Sequence, residues 1–461
     1  MLPVVLLGIF HNNSSVSNPV PETSPSALLS FTASNVRSYR DEVHLSLLAT
    51  RLAREGVRRD IQTPSSSVPV GVLPAAGVFG ANASGKTALL LALTDMREVV
   101  VSSFRRGTPS SGMYRVPFAL EDDSRVQPSS FQIDLILNRV RWQYGFEIND
   151  ERVLEEYAYH YPKGRQAKVF ERTQDDISFG SPFRHSGHLL CRLLRNNALL
   201  LSVAGAADDE DLGPLFMWFV NNLRLARSEN RSSRILYTAE RIKRHVAKEQ
   251  IMGLIHAADL GVVGIERIAV PSEVAEQIQI ILRKLEDSSD IPETIDNNIK
   301  ISFPDLVCLK HQGSTGSVVL NPELESEGTI VWVGLIGPVL EALENGLVFL
   351  CDELDTSLHP YLVSELVNMF QDPELNPRCA QLVFNAHDTN VLGDSSQEVL
   401  GRDQIWFTEK GNEGATILYP LADFRPRRDE ALARRYLQGR FGAVPNINPA
   451  EIQTSLEPIR T

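Results

Sequence analysis

Gly80, Ala81, Asn82, Ala83, Ser84, Gly85, Lys86 and Thr87 follow the pattern G-x-x-x-x-G-K-[ST], whose chemistry is the binding of phosphate. Glycines at both ends let the backbone curl towards phosphates without a Cβ in the way. The N–H groups of the curl and the N-terminus of a following helix then face the anion. In that arrangement Lys86 reaches the β- and γ-phosphates of ATP, and Thr87 holds Mg²⁺ through its hydroxyl.

Two further stretches carry residues suited to the same chemistry. Leu347-Val348-Phe349-Leu350-Cys351 is an apolar run that ends in Asp352 and Glu353. Such a run reads as a buried parallel strand, and ligands bind beyond the carboxyl ends of strands in open α/β sheets. Asp352 is placed to hold Mg²⁺ and Glu353 to polarise an attacking water. Leu382-Val383-Phe384-Asn385-Ala386-His387 repeats the pattern, with His387 just past the strand as a candidate γ-phosphate contact. The catalytic set read from the residues is thus Lys86, Glu353 and His387.

These residues need a scaffold of strand, loop and helix. The run Gly77-Val78-Phe79 precedes the loop, and Ala88-Leu89-Leu90-Leu91-Ala92-Leu93 follows it as a strong helix former. Upstream, residues 28–34 and 42–47 read as strands. Arg37 and Tyr39 between them are candidates for an adenine contact. Residues 131–137 and 140–148 read as a hairpin around Asn138-Arg139. Its alternating Trp142, Tyr144 and Phe146 belong to a core face. Residues 232–258 and 273–286 have helical spacing, and a hairpin is expected across residues 299–320.

The chain has 461 residues, 43% hydrophobic, and a net charge of −13. A sizeable core is therefore available, and wholesale coating of nucleic acid is excluded by charge. Residues 224–248 form a local basic exception, with Arg224, Arg227, Arg231, Arg234, Arg241, Lys243, Arg244 and Lys248. Such a cluster can track DNA or RNA phosphates, or be a solvated helix face with its own ion pairs. The four cysteines, Cys191, Cys308, Cys351 and Cys379, form no C-x-x-C pair, so reduced buried thiols are expected. No apolar run is long enough to span a membrane, and the start lacks a basic n-region and a cleavage site. A cytoplasmic protein is expected, with residues 1–26 a disordered Ser/Pro-rich extension.

Taken together, FGANASGKT (79–87), YGFEINDERVLEE (144–156), NALLLSVAG (197–205), SEGT (326–329), LCDELDTSLHP (350–360), NAHDTNVL (385–392), DQIWFTEK (403–410), and LADFRPRRDE with YLQGRFGAVP (421–430 and 436–445) resemble an ABC-type ATPase head of the SMC, RecF and OLD kind. They resemble more closely the AAA-family "ATP-binding protein" group of bacterial ATPases linked to phage defence and abortive infection. The resemblance covers most of residues 28–445. It implies an α/β P-loop NTPase fold of ABC-ATPase-head type, with a mixed sheet, an antiparallel β subdomain and a helical insertion. The corresponding divisions are 27–204 and 301–425 for the two parts of the head, 205–300 for the helical insertion and 426–461 for a C-terminal tail.

The resemblance further implies a head-to-head homodimer in which ATP on one copy meets Ser326 and Gly328 of the other. It also implies an RloB-like or nuclease effector as partner. Three departures stand out. The L-S-G-G signature is reduced to Ser326 and Gly328. The aspartate that usually closes the turn after Glu353 is His359. The glutamine expected to sense the nucleotide is left open between Gln127 and Gln132. Two alternatives to a hydrolysing switch stay open: a slowly hydrolysing regulatory or scaffold subunit, and an SMC/RecF-like DNA repair ATPase.

Overall fold

A computed structural model describes residues 26–64, 66–268, 306–393, 399–427, 430–446 and 448–456. The expected extension 1–26 and the expected helix 273–286 lie outside these residues, except for Ser26. In chain order, β1 (Ala27–Ser34) and β2 (Val43–Ser46) precede a ribbon of β3 (Arg59–Ile61) and β4 (Val70–Val72). Next comes β5 (Ala75–Gly80), which feeds the glycine loop and helix α1 (Lys86–Ser102). An antiparallel run follows: β6 (Ser129–Leu137), β7 (Val140–Ile148), β8 (Val153–His160), β9 (Ala167–Thr173) and β10 (Asp176–Phe179). Helices α2 (Leu200–Ala206) and α3 (Gly213–Asn222) lead to β11 (Leu223–Ala226), then α4 (Arg231–Arg241), α5 (His245–Ala257) and β12 (Val262–Ile268). The hairpin β13 (Leu306–Gly313) and β14 (Gly316–Leu320) leads into α6 (Glu327–Asn345). The chain then runs β15 (Val348–Cys351), α7 (Pro360–Gln371), β16 (Gln381–Asn385), β17 (Ile405–Lys410), β18 (Thr416–Pro420) and α8 (Leu432–Leu437).

The central sheet has the order β11-β15-β16-β5-β17-β18. Its first five strands are parallel, and β18 turns back against β17. A parallel sheet must be covered on both faces, and β5 shows how. Its residues alternate: Ala76 and Val78 join the core beneath α1, while Ala75 and Phe79 join the core beneath α6 and α7. On the α1 side, Leu89, Leu90, Leu93 and Met96 pack between this sheet and the second sheet, β10-β9-β8-β7-β6-β1-β2. Tyr144 and Phe146 are buried there, in keeping with the core face read from their alternation. The result is a helix-bearing parallel sheet joined through one helix layer to an antiparallel sheet, the mixed α/β head expected.

Two divisions need correction. Residues 205–300 are not a purely helical insertion. Leu223–Ala226 is an edge strand of the central sheet, in register with β15 from Leu223 opposite Val348 to Ala226 opposite Cys351. Val262–Ile268 pairs with β13. The two helices between them lie on α6 and do not stand off from it. The approach of α4 is close enough that a Cβ on Gly337 would collide with Thr238, whose hydroxyl donates to the Val333 carbonyl at 2.9 Å. The helical reading failed because a strand of four residues directly after α3 shows no period of its own. The second correction is the tail. Tyr436 and Phe441 stack on Phe407 of β17 at 5.3 and 5.8 Å, and Tyr436 donates to the Ala443 carbonyl at 3.1 Å. Burial of Leu432, Tyr436, Phe441 and Ala443 anchors residues 430–446 to the core, beside the glycine loop.

Candidate active site

The loop between β5 and α1 is shaped by its glycines. A Cβ on Gly80 would lie 2.5 Å from the Thr408 carbonyl, and Gly85 sits at φ 107 against Ser38 and Thr416. The Ser84 hydroxyl is 2.6 Å from that of Thr408, tying the loop to β17. Inside the curl, the Lys86 ammonium donates to the carbonyls of Gly80 at 2.8 Å and Ala81 at 3.0 Å. Burial lowers the Lys86 pKa, opposed by the carboxylates of Asp355, Glu353 and Asp352. Three acids thus favour charge on this lysine where solvent cannot.

Thr87 donates from its hydroxyl to Asp352 Oδ1 at 2.7 Å, joining the loop to the end of β15. The same oxygen accepts from Asn385 Nδ2 at 2.6 Å, and Asp352 Oδ2 accepts from Arg227 Nε at 3.3 Å. Glu353 follows at φ 51, an unfavourable region for a residue with a Cβ. Its amide donates to Asn385 Oδ1 at 2.7 Å, and its side chain is exposed. His387 is exposed and, with residues 80–84, Thr389, Thr408, Lys410 and the segment around Tyr436 and Val444, lines a cleft of about 700 Å³. The structure therefore brings the loop, Lys86, Thr87, Asp352, Glu353 and His387 to one sheet edge.

Ser326 and Gly328 do not line that cleft. Ser326 caps α6, accepting from the Thr329 amide at 3.1 Å. A Cβ on Gly328 would lie 2.6 Å from the Ser357 carbonyl, so this glycine permits contact with the turn after Glu353. His359, where an aspartate was expected, caps α7 by accepting from the Tyr361 amide at 3.2 Å.

Other expectations change. Tyr39 is fully buried and donates to the Gly85 carbonyl at 3.1 Å. Arg37 grips Asp95 of α1 through two hydrogen bonds of 2.5 and 2.7 Å. Both brace the loop and its helix; Tyr39 is taken up inside the protein, so its adenine reading is corrected, while Arg37 is only partly buried. Gln132 is held by Tyr157 and Asp134 within the antiparallel sheet. The basic cluster is largely engaged internally: Arg224 with Glu341, Arg227 with Asp352 and Glu229, Arg231 with Glu327, Arg241 with Glu344, and Lys243 with Glu240. Arg234 donates to Asn230 and the Arg227 carbonyl. Arg244 and Lys248 are exposed. Burial pushes the Cys351 and Cys379 thiols up to about 12, and the four cysteines are free.

Asn385, Asp355 and Arg227 are site residues that motif reading missed. A polar residue ending the apolar run LVFN was the available signal for Asn385. Nothing in the spacing marks Arg227, which reaches Asp352 from another strand.

The donor set fits Mg²⁺. Among the described residues no group of three or more His, Cys, Asp or Glu could hold a metal. Mg²⁺ needs no such cage, since it keeps waters and binds through one or two protein oxygens plus phosphates. Thr87 and Asp352 are already side by side, and both are oxygen donors of the kind Mg²⁺ takes.

A parallel sheet with a phosphate loop at its edge, and acids on the neighbouring strand end, defines a P-loop ATPase-type fold. Residues 75–393, well over half the chain, match the model of the family described as "AAA domain, putative AbiEii toxin, Type IV TA system". The chain belongs to this AAA family. Among solved structures it is similar to "Structure of the recombination mediator protein RecF-ATP in RecFOR pathway", with 12% identity and a TM-score of 0.32 over 89% of this chain and 100% of that one. At that identity and score the likeness adds nothing to the family assignment. No curated protein matches the chain. Among the described residues no helix is long and apolar enough to cross a membrane.

Proposed function

We propose that the protein is an Mg²⁺-dependent ATP hydrolase whose ATP-bound form is a head-to-head homodimer, acting as a switch in anti-phage defence through a partner effector such as a nuclease or an RloB-like protein. The observation that carries the hydrolytic reading is the hydrogen bond from Thr87 to Asp352, which joins phosphate loop and acidic strand end in one site. Loop amides and Lys86 bind the β- and γ-phosphates. Thr87 and Asp352 hold the metal, which when bound neutralises charge on the phosphate oxygens. Glu353 orients the attacking water and takes its proton, and His387 contacts the γ-phosphate. The dimer is supported by the exposed start of α6 at Ser326 and Glu327, where helix N–H groups suit an anion. The defence role is supported by the toxin–antitoxin system named in the family's description.

Phosphate release with ATP and Mg²⁺, abolished by EDTA and restored by added Mg²⁺, is the expected result. No metal-dependent release above that of the Lys86→Ala protein would reject the enzyme.

A second reading adds DNA or RNA as a partner, favoured by the exposure of Arg244 and Lys248 beside a cluster otherwise engaged internally. Reversing both to Glu is expected to weaken binding and to lower its salt slope by about 0.9 for each phosphate no longer neutralised. Binding with an unchanged slope would remove nucleic acid from this face.

A further inference from the structure

We propose that Asn385 and Asp355 are positioning residues for hydrolysis: they clasp the acidic turn after β15 to the turn after β16, so that Glu353 and His387 are held as one unit. The proposal rests on the ATPase reading above.

The clasp runs both ways. From the β16 side, Asn385 Nδ2 donates to Asp352 Oδ1 at 2.6 Å, and Asn385 Oδ1 accepts from the Glu353 amide at 2.7 Å. The Asn385 carbonyl accepts from the Leu354 amide at 3.0 Å. From the β15 side, Asp355 Oδ2 accepts from the amides of His387 at 2.9 Å and Asp388 at 2.7 Å. Each turn thus supplies a side chain that fixes the backbone of the other.

Several features argue for a role in chemistry. Asn385 is fully buried, and its donor and acceptor are both engaged with the acidic turn. The amide it holds belongs to Glu353, whose φ of 51 is unfavourable without such support. Asp355 Oδ1 is buried and has no hydrogen-bond partner among the described residues. An unpaired buried oxygen is costly, and a neutral acceptor would satisfy the His387 turn with less desolvation. Asn385 and Asp355 act through the groups they hold: Asp352 and the Glu353 amide for the one, the amides of His387 and Asp388 for the other.

The test uses the full-length protein and the variants Asp355→Ala, Asp355→Asn, Asn385→Ala and Asn385→Asp. It measures kcat and KM for ATP, ATP affinity by calorimetry, the Mg²⁺ concentration for half-maximal turnover, and melting temperature. Asp355→Ala is expected to lower kcat roughly 10²-fold, the scale of a misplaced reacting group. Its ATP affinity is expected to stay within about threefold, since the loop and the metal ligands remain. Asp355→Asn, which keeps one acceptor, is expected to recover part of the loss. Asn385→Ala is expected to lower kcat and also to raise the Mg²⁺ requirement, because Asp352 loses a donor. Asn385→Asp sets a second carboxylate against Asp352 and is expected to resemble it.

The double alanine variant is expected to fall little below the poorer single one, as for residues acting as a unit. If an alanine variant does not fold, the near-isosteric change at the same position carries the test. A wild type without Mg²⁺-dependent turnover would reject the ATPase reading and the clasp with it. An active wild type with variants of unchanged kcat would reject the clasp alone. So would kcat losses that track falling affinity and melting temperature.

Discussion

The Glu353→Gln protein is expected to bind ATP and Mg²⁺ normally, to lose turnover by roughly 10²-fold or more, and to accumulate as a dimer. The loss is that of a general base. Gln keeps the size of the side chain but cannot accept a proton from water, while Lys86, Thr87 and Asp352 are untouched. The backbone at Glu353 is held through its amide by Asn385, so the substitution leaves the turn in place. The predicted composite site, with the α6 N-terminus of one copy over the loop of the other, would then form and not break. Light scattering with ATP and with ADP decides it: an ATP-dependent doubling of mass supports the switch. Lost turnover without any change in mass would leave Glu353 catalytic and remove the dimer, and the reading as a regulatory or scaffold subunit would move ahead.

Lys86→Ala is the second large effect. The ammonium sits within the loop, on the carbonyls of Gly80 and Ala81, and is 5% exposed. Removing one partner of a buried ionic interaction costs about 3–5 kcal/mol, or roughly 10²- to 4 × 10³-fold in affinity. Calorimetry should show ATP binding weakened to that extent or below detection. Unchanged affinity would mean that the nucleotide does not occupy residues 80–87. Because Lys86 also balances Asp352, Glu353 and Asp355, their mutual repulsion adds to the loss.

The groups proposed to touch phosphate were legible because their spacing is local. Residues 80–87 state a loop, and an apolar run ending in Asp352-Glu353 or Asn385-Ala386-His387 states a strand end. The residues that hold those groups were not legible, because each acts across the fold. Arg227 and Asp352 are 125 positions apart and meet only because β11 pairs with β15. Tyr39 looked like a ring for a base, yet its hydroxyl braces Gly85 from inside the core. Leu223–Ala226 was hidden by brevity. The segment after residue 426 read as a tail because Tyr436 and Phe441 are isolated aromatics in a charged stretch, and it is Phe407 of β17, with Phe424 beside Phe441, that gives them a reason to be buried.

The position of β5 has a consequence for biosynthesis. This strand is made early, yet its two neighbours in the sheet are β16 and β17. Gln404, which binds the Ala75 carbonyl, is 329 positions downstream, and so distant a closure is slow to form. A nascent chain that has emerged with the glycine loop and α1 therefore displays the motif without the wall that Thr408 provides. If the loop binds nucleotide as proposed, full capture would await β17, whose Thr408 hydroxyl meets that of Ser84 at 2.6 Å. Ribosome-bound chains halted before β17 are therefore expected to bind ATP more weakly than chains in which β17 has joined β5.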